Sequence, residues 1–257
     1  MHPVNVLVVI PTYNEALNIT GMLESIRGHV PSASILVVDD GSPDGTADIV
    51  EKQAELLGSI NLLRRTQKDG LGSAYRAGFA WGLERGFDAF VEIDADFQHD
   101  PSALPSLLEA AERGAGVVIG SRYVSGGETP KWPWYRLFLS RGGNQYASIL
   151  LGLKVADSTA GFRVYRADAL RTIDFASVQA DGYGFQIEMT YRARRAKQVI
   201  TEVPISFTDR EVGESKMSST IIVEALFLVT KWAIEDLLGK GWKPKASDGY
   251  SATSAIE

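Results

Sequence analysis

The sequence predicts an α/β protein built on a mostly parallel sheet with helices on both faces. Three observations carry this. Short β-branched apolar runs recur through the first half of the chain, segments of helical periodicity lie between them, and each run ends in a polar loop. Strands alternating with helices are joined by crossovers, so they run parallel and are covered on both sides. In such sheets ligands gather at the carboxyl ends of the strands, and those loops therefore converge on one edge.

Val4 to Ile10 is a continuous apolar run, the pattern of a central strand. It stops at Pro11-Thr12-Tyr13-Asn14-Glu15, after which Leu17, Ile19, Met22, Leu23 and Ile26 give a helical face. Ile35 to Val38 is a second strand and Asp39-Asp40-Gly41-Ser42-Pro43-Asp44-Gly45-Thr46 follows it, with Asp44-Gly45-Thr46 reading as turn and helix cap. Ala47, Ile49, Val50, Ala54 and Leu57 mark the next helix, and Ile60 to Leu63 a third strand. Gln67-Lys68-Asp69-Gly70-Leu71-Gly72 then turns into a helix from Ser73 to Arg85. Phe87 to Ile93 is the fourth strand. A helix from Asp100-Pro101 to Arg113 leads to a fifth strand at Gly116 to Gly120, with Arg122 at its end.

The second half is less regular. Gly126-Gly127 opens a flexible loop, and Trp134 to Leu153 is helical in pattern with Arg136 and Arg141 among aromatic residues. That composition suits a membrane interface, and it equally suits a core helix with charged flanks. Gly182 to Glu188 leads into a helix whose Arg192, Arg194, Arg195 and Lys197 read as a solvated end. Val199 to Phe207 reads as two short strands around Pro204. Ser218 to Leu238 is the most apolar helix; Glu224, Lys231 and Glu235 share one polar stripe, which suits a helix lying on a surface or packed on a domain.

Composition narrows the possibilities. A net charge of −6 over 257 residues argues against a nucleic-acid binder, and no nucleic-acid partner is expected. With no cysteine and three histidines, thiolate and histidine-rich metal centres are excluded. The N-terminal run reads as strand and not as a signal peptide. No stretch reaches the roughly 18 uncharged apolar residues of a membrane span.

Chemistry concentrates at Val91-Glu92-Ile93-Asp94-Ala95-Asp96-Phe97-Gln98. At strand spacing Asp94 and Asp96 share a face. Two carboxylates so placed suit a hard cation, Mg2+ or Mn2+, that would hold a diphosphate; alone, they also suit a solvated strand end. Asp39 and Asp40 are placed to accept from a base or ribose, Tyr13 to stack on a base, and Gly70 and Gly72 to let backbone approach a ligand or simply to turn. No Gly-x-Gly-x-x-Gly follows the first strand and no Walker A sequence is present.

Taken in order, Pro11-Thr12-Tyr13-Asn14-Glu15, Asp39-Asp40-Gly41-Ser42, Gly70-Leu71-Gly72, Asp94-Ala95-Asp96 and Gly120-Ser121-Arg122-Tyr123 resemble the inverting family 2 glycosyltransferases of the GT-A (Rossmann-like) fold. The resemblance covers about residues 4 to 240 and is strongest to the members that make polyprenyl- or dolichyl-phosphate mannose. It implies a catalytic domain over 1–217 with a mobile loop at 208–217. It further implies an amphipathic interface helix at 218–240 packed on or beside that domain, and a disordered tail at 241–257. Pro11, Tyr13, Glu15, Asp40, Ala95 and Asp96 would then line the nucleotide pocket, with Arg210, Ser215 and Lys216 closing a lid on the diphosphate. Asp94, Asp96 and Gln98 would bind the metal, and Arg122, Arg136 and Ser140 the acceptor phosphate. Arg163, in Asp157-Ser158-Thr159-Ala160-Gly161-Phe162-Arg163, would face a phosphate or pair with Asp157, and Glu188 would face the acceptor side. The implied reaction moves mannose from GDP-mannose to a polyprenyl (dolichyl-type) phosphate, on the cytoplasmic face of a membrane, by a peripheral protein working with a membrane-embedded subunit or fused domain. A UDP-glucose-dependent polyprenyl-phosphate glucosyltransferase and a catalytically silent nucleotide-sugar scaffold are the alternatives.

Overall fold

The computed structural model describes residues 4–209 and 219–244. Seven strands form one sheet: β1 (Val6–Thr12), β2 (Ser34–Asp39), β3 (Ile60–Arg64), β4 (Ala89–Glu92), β5 (Val117–Ser121), β6 (Arg163–Arg166) and β7 (Ile200–Pro204). Their order across the sheet is β3-β2-β1-β4-β6-β5-β7. All neighbours pair in parallel except at β6, which runs antiparallel to both β4 and β5. The sequence reading places no strand at Arg163–Arg166. The second strand it expects after Pro204 is reduced to single bridges, Ser206 with Glu128 and Phe207 with His99.

Among the described residues eight α-helices cover the sheet: α1 (Ile19–His29), α2 (Thr46–Leu57), α3 (Leu71–Glu84), α4 (Leu104–Glu112), α5 (Trp134–Leu151), α6 (Ala167–Ile173), α7 (Gly182–Arg195) and α8 (Ser219–Leu237). Alternation along the strands decides which side each helix meets. Val8, Ile10, Val37 and Val91 face α1, α2 and α4, whereas Leu7, Val9, Val38 and Phe90 face the layer of α3 and α5 to α8. Burying one Val or Leu side chain is worth about 1.5–3 kcal/mol, so a one-residue slip of a central strand is prohibitive. Helix α3 lies close to β1 because Gly78 presents no Cβ to Val9.

Helix α8 packs against α5 and α7 with Val229 and Ala233 buried, and Tyr146 and Thr230 share a hydrogen bond of 2.7 Å. Tyr191 O–H donates to Asp236 Oδ1 at 2.6 Å, which fastens the end of α8 to α7. The outer surfaces stay apolar: Trp134 (79% exposed), Phe138 and Leu139 on α5, and Phe227 and Leu237 on α8. Among the described residues no helix is long and apolar enough to cross a membrane. The loop at 210–217 and the tail beyond 244 lie outside the described residues.

Candidate active site

The carboxyl edge of the sheet opens into a cleft of about 600 Å³. It brings together Pro11, Tyr13, Glu15, Asp40, Asp94, Ala95, Asp96, Gln98, Arg122 and Arg136 of the expected set. Arg210, Ser215 and Lys216 lie outside the described residues.

The loops after β1, β2 and β3 make one wall. Glu15 N–H donates to Thr46 Oγ1 and Ala16 N–H to Asp44 Oδ2, each at 3.0 Å, so the Asp44-Gly45-Thr46 turn braces the Tyr13 loop. The two adjacent aspartates divide their work. Asp39 accepts from Thr12 Oγ1, Ser42 N–H and Ser42 Oγ, and it is absent from the cleft lining; the expectation that it meets a nucleotide is corrected, because the loop itself uses its acceptors. Asp40 does face the cleft, 3.1 Å from Arg65 Nη1; burial raises its pKa and Arg65 opposes the rise. Lys68, which the sequence reading passed over, lies 4.3 Å from the centre of the Tyr13 ring and adds a cation to this wall.

At the middle, the end of β4 delivers Asp94, Asp96 and Gln98. Tyr75 O–H donates to Asp94 Oδ1 at 3.1 Å, and Gln98 N–H to Asp96 Oδ1 at 3.1 Å. Phe97 takes φ of 57°, a left-handed turn that reverses the chain between Asp96 and Gln98. Thr208 N–H donates to the Gln98 carbonyl at 3.1 Å, tying this loop to the segment after β7. Among the described residues no cluster of three carboxylate or imidazole donors occurs. Two carboxylates and a carboxamide nevertheless form a hard oxygen set of the kind Mg2+ or Mn2+ completes with phosphate oxygens, so these residues fit such an ion.

Beneath this loop the floor is polar and buried. Glu92 is fully buried, its pKa pushed up to about 8 by burial against the opposing charge of Arg163. Gln186 Nε2 donates to Glu92 Oε2 at 2.9 Å. The expectation that Arg163 faces a phosphate or pairs with Asp157 is corrected: it is fully buried and donates to the carbonyls of Ala160, Ser158 and Gln186 and to Thr190 Oγ1. Ser158 and Ala160 lie in the loop before β6, outside any ladder, and the guanidinium satisfies their buried carbonyls.

The far wall differs most from expectation. Arg122 lines the cleft but is only 5% exposed, and Nε and Nη2 donate to the two oxygens of Asp157 at 2.7 and 2.6 Å. Its charge is matched within the protein. Arg136 stacks over Trp132, 3.8 Å to the ring centre, and donates to Asp209 at 2.7 Å. Ser140 is held by Tyr123, whose O–H donates to it at 2.6 Å. Trp132 belongs to this wall and not to the outer surface with Trp134. Glu188 pairs with Arg192 under α7 and does not line the cleft, because Arg192 is buried where a solvated helix end was expected. The acidic residue of this region that reaches the cleft is Asp181, which accepts from Gly72 N–H at 2.6 Å. Gly70, at φ of 88°, and Gly72 are required by contacts with Asp181 and Phe185, so their close approach is to protein. The loop at Gly127 is likewise packed, on the backbone of Ser121 and Arg122.

A mostly parallel sheet with an acidic loop between two walls at one edge is the architecture of a glycosyltransferase of the GT-A fold. The chain belongs to glycosyl transferase family 2, whose sequence model matches residues 7–174. The undecaprenyl-phosphate mannosyltransferase of Micrococcus luteus is 52% identical over 229 residues, spanning 89% of this chain and 94% of its own length. The polyprenol monophosphomannose synthase of Mycolicibacterium smegmatis is 48% identical, over 91% of this chain and 89% of its own. Among solved structures, the mannosyltransferase PcManGT of Pyrobaculum calidifontis, in complex with GDP-Man and Mn2+, superposes with a TM-score of 0.58 at 15% identity, covering 93% of this chain and 76% of that one. That last likeness is one of fold.

Proposed function

We propose that the protein transfers mannose from GDP-mannose to a polyprenyl (dolichyl-type) phosphate with inversion at the anomeric carbon. The observation that carries this reading is the single cleft that holds Tyr13, Asp40 and Lys68 on one wall, Asp94, Asp96 and Gln98 in the middle, and Arg136 on the other. The names of the two relatives support the acceptor class, and the PcManGT complex supports the donor.

Nucleophile and leaving group sit on opposite sides of the sugar. A phosphate oxygen of the acceptor forms the new bond to the anomeric carbon as the bond to the GDP oxygen breaks, and that oxygen keeps the electron pair. A phosphate dianion is already nucleophilic near neutral pH, so the protein's work is positioning and charge neutralisation. Arg136 faces the acceptor phosphate, with Arg122 fixing the wall behind it. Asp94, Asp96 and Gln98 would hold Mg2+ or Mn2+, and the ion would supply neutralisation of diphosphate charge. The lipid tail stays in a membrane surface against the exposed faces of α5 and α8.

The test is product analysis after incubation with labelled GDP-mannose and a short polyprenyl phosphate, with UDP-glucose as the competing donor. β-Linked polyprenyl-phosphate mannose is expected. Transfer from UDP-glucose alone overturns the donor, and transfer with retention overturns the mechanism.

A further inference from the structure

The order of the strands places a sugar. Nucleotide-side residues lie beyond β1 and β2, the acidic loop beyond β4, and Arg122 beyond β5; between β4 and β5 runs β6, reversed, so that its beginning lies on the same edge. A sugar carried from a diphosphate above β4 to a phosphate beside β5 must sit over the start of β6. Gly161 and Gln186 line the cleft there. A methyl group built on Gly161 would lie 3.8 Å from Asp94 Oδ2, 3.9 Å from Gln186 Nε2 and 3.9 Å from His99, so polar groups converge on the space this glycine leaves open.

Gln186 stands out within that group. It is 2% exposed, its Nε2 is anchored on Glu92, and its Oε1 has no hydrogen-bond partner among the described residues. A buried amide oxygen without a partner has lost its water and gained nothing in return, a cost that a bound hydroxyl removes. A sugar hydroxyl both donates and accepts, so it pairs with either end of a carboxamide. Glu92, beneath the floor and without exposure, fixes where that carboxamide lies.

We propose that Gln186, positioned by Glu92, is a specificity-determining residue that reads one hydroxyl of the transferred sugar. The proposal rests on the reading of the cleft as a sugar-nucleotide transferase site and assigns a residue within it. A site built to bond a hydroxyl discriminates against the analogue that lacks it, because its own polar group is then left unpaired.

The test uses the full chain and a series of donors, each lacking one sugar hydroxyl, built on whichever nucleotide sugar the wild type accepts. A failure of GDP-mannose as donor is thereby separated from a failure of Gln186. In Gln186→Ala, kcat/KM for the intact donor should fall roughly 10- to 100-fold, while the Kd for the free nucleoside diphosphate stays within about twofold. The wild type should disfavour one deoxy donor, and the variant should accept that donor as well as the intact one. Glu92→Gln, which can still bond the amide, should keep the discrimination that Glu92→Leu loses. Gly161→Ala, whose methyl meets only ordinary contacts, should raise KM for the sugar nucleotide without changing nucleoside diphosphate binding. The proposal is overturned if Gln186→Ala discriminates among the deoxy donors as the wild type does, or if nucleoside diphosphate affinity falls as far as that of the intact donor.

Discussion

Arg122 and Asp157, 35 residues apart, form a two-pronged ion pair sealed from water at the cleft wall. Burial raises the Asp157 pKa, but the Arg122 charge and its hydrogen bonds outweigh that and hold it below the usual value. Asp157→Asn should therefore cost about 3 kcal/mol, since it leaves a buried guanidinium unmatched. A depressed folded pKa stabilises above the unfolded value of about 3.9 and ceases to do so as pH falls through the folded one. Denaturant titrations should show a constant deficit for the variant between pH 5 and 8, narrowing only below about pH 4. A deficit that grows toward pH 4 contradicts this assignment.

Arg136 is held by Asp209 across a half-exposed pair, so an acceptor phosphate has to displace that carboxylate. Asp209→Asn should lower KM for polyprenyl phosphate about two- to fivefold with little change in donor KM, in line with the modest strength of exposed pairs. Arg136→Ala should raise the same KM. Steady-state kinetics with a water-soluble acceptor read both.

Asp96→Ala should abolish turnover and leave the melting temperature nearly unchanged, and chelation should silence the wild type. Tyr75→Phe removes the hydroxyl that orients Asp94 and should raise the half-activating Mg2+ or Mn2+ concentration about tenfold. A fully active Asp96→Ala protein would remove the metal from the proposal.

The outward faces of α5 and α8 offer the fourth test. Trp134→Ser with Phe138→Ser should weaken flotation with anionic liposomes and reduce activity on long-chain acceptors more than on short ones. Trp132→Ser should instead affect both acceptors alike, because that ring stacks with Arg136 inside the cleft.

Much of this architecture is legible in the sequence. The runs ending at Thr12, Asp39 and Glu92 announce buried strands, and the polar loops after them converge because the strands are parallel. Local pattern hides β6, however: its four residues, Arg163 to Arg166, bury an arginine and a tyrosine beside Val164, so neither the strand nor its reversal leaves an apolar mark. Pairings across distance are equally hidden. Nothing near Arg122 announces Asp157, and although Glu188 and Arg192 stand four apart on one helix, where opposite charges meet, nothing local says that the pair is buried. Lys68 and Asp181 were within reach, since one follows a strand at the ligand edge and the other precedes a glycine at a helix start.

The reversal of β6 has a consequence for how this protein can be changed. Because β5 leaves the sheet at the edge where β6 re-enters it, residues 122–162 form an excursion that departs from and returns to the same rim. That excursion carries Arg136, Trp132 and the whole of α5, while the strands and loops that frame the wall of Tyr13, Asp40 and Lys68 all precede it. It is an exchangeable cassette. Grafting the corresponding segment from a family member with a different acceptor, together with Glu202, Asp209 and Thr230, which bond Asp157, Arg136 and Tyr146 from outside it, should redirect what receives the sugar while preserving which nucleotide delivers it.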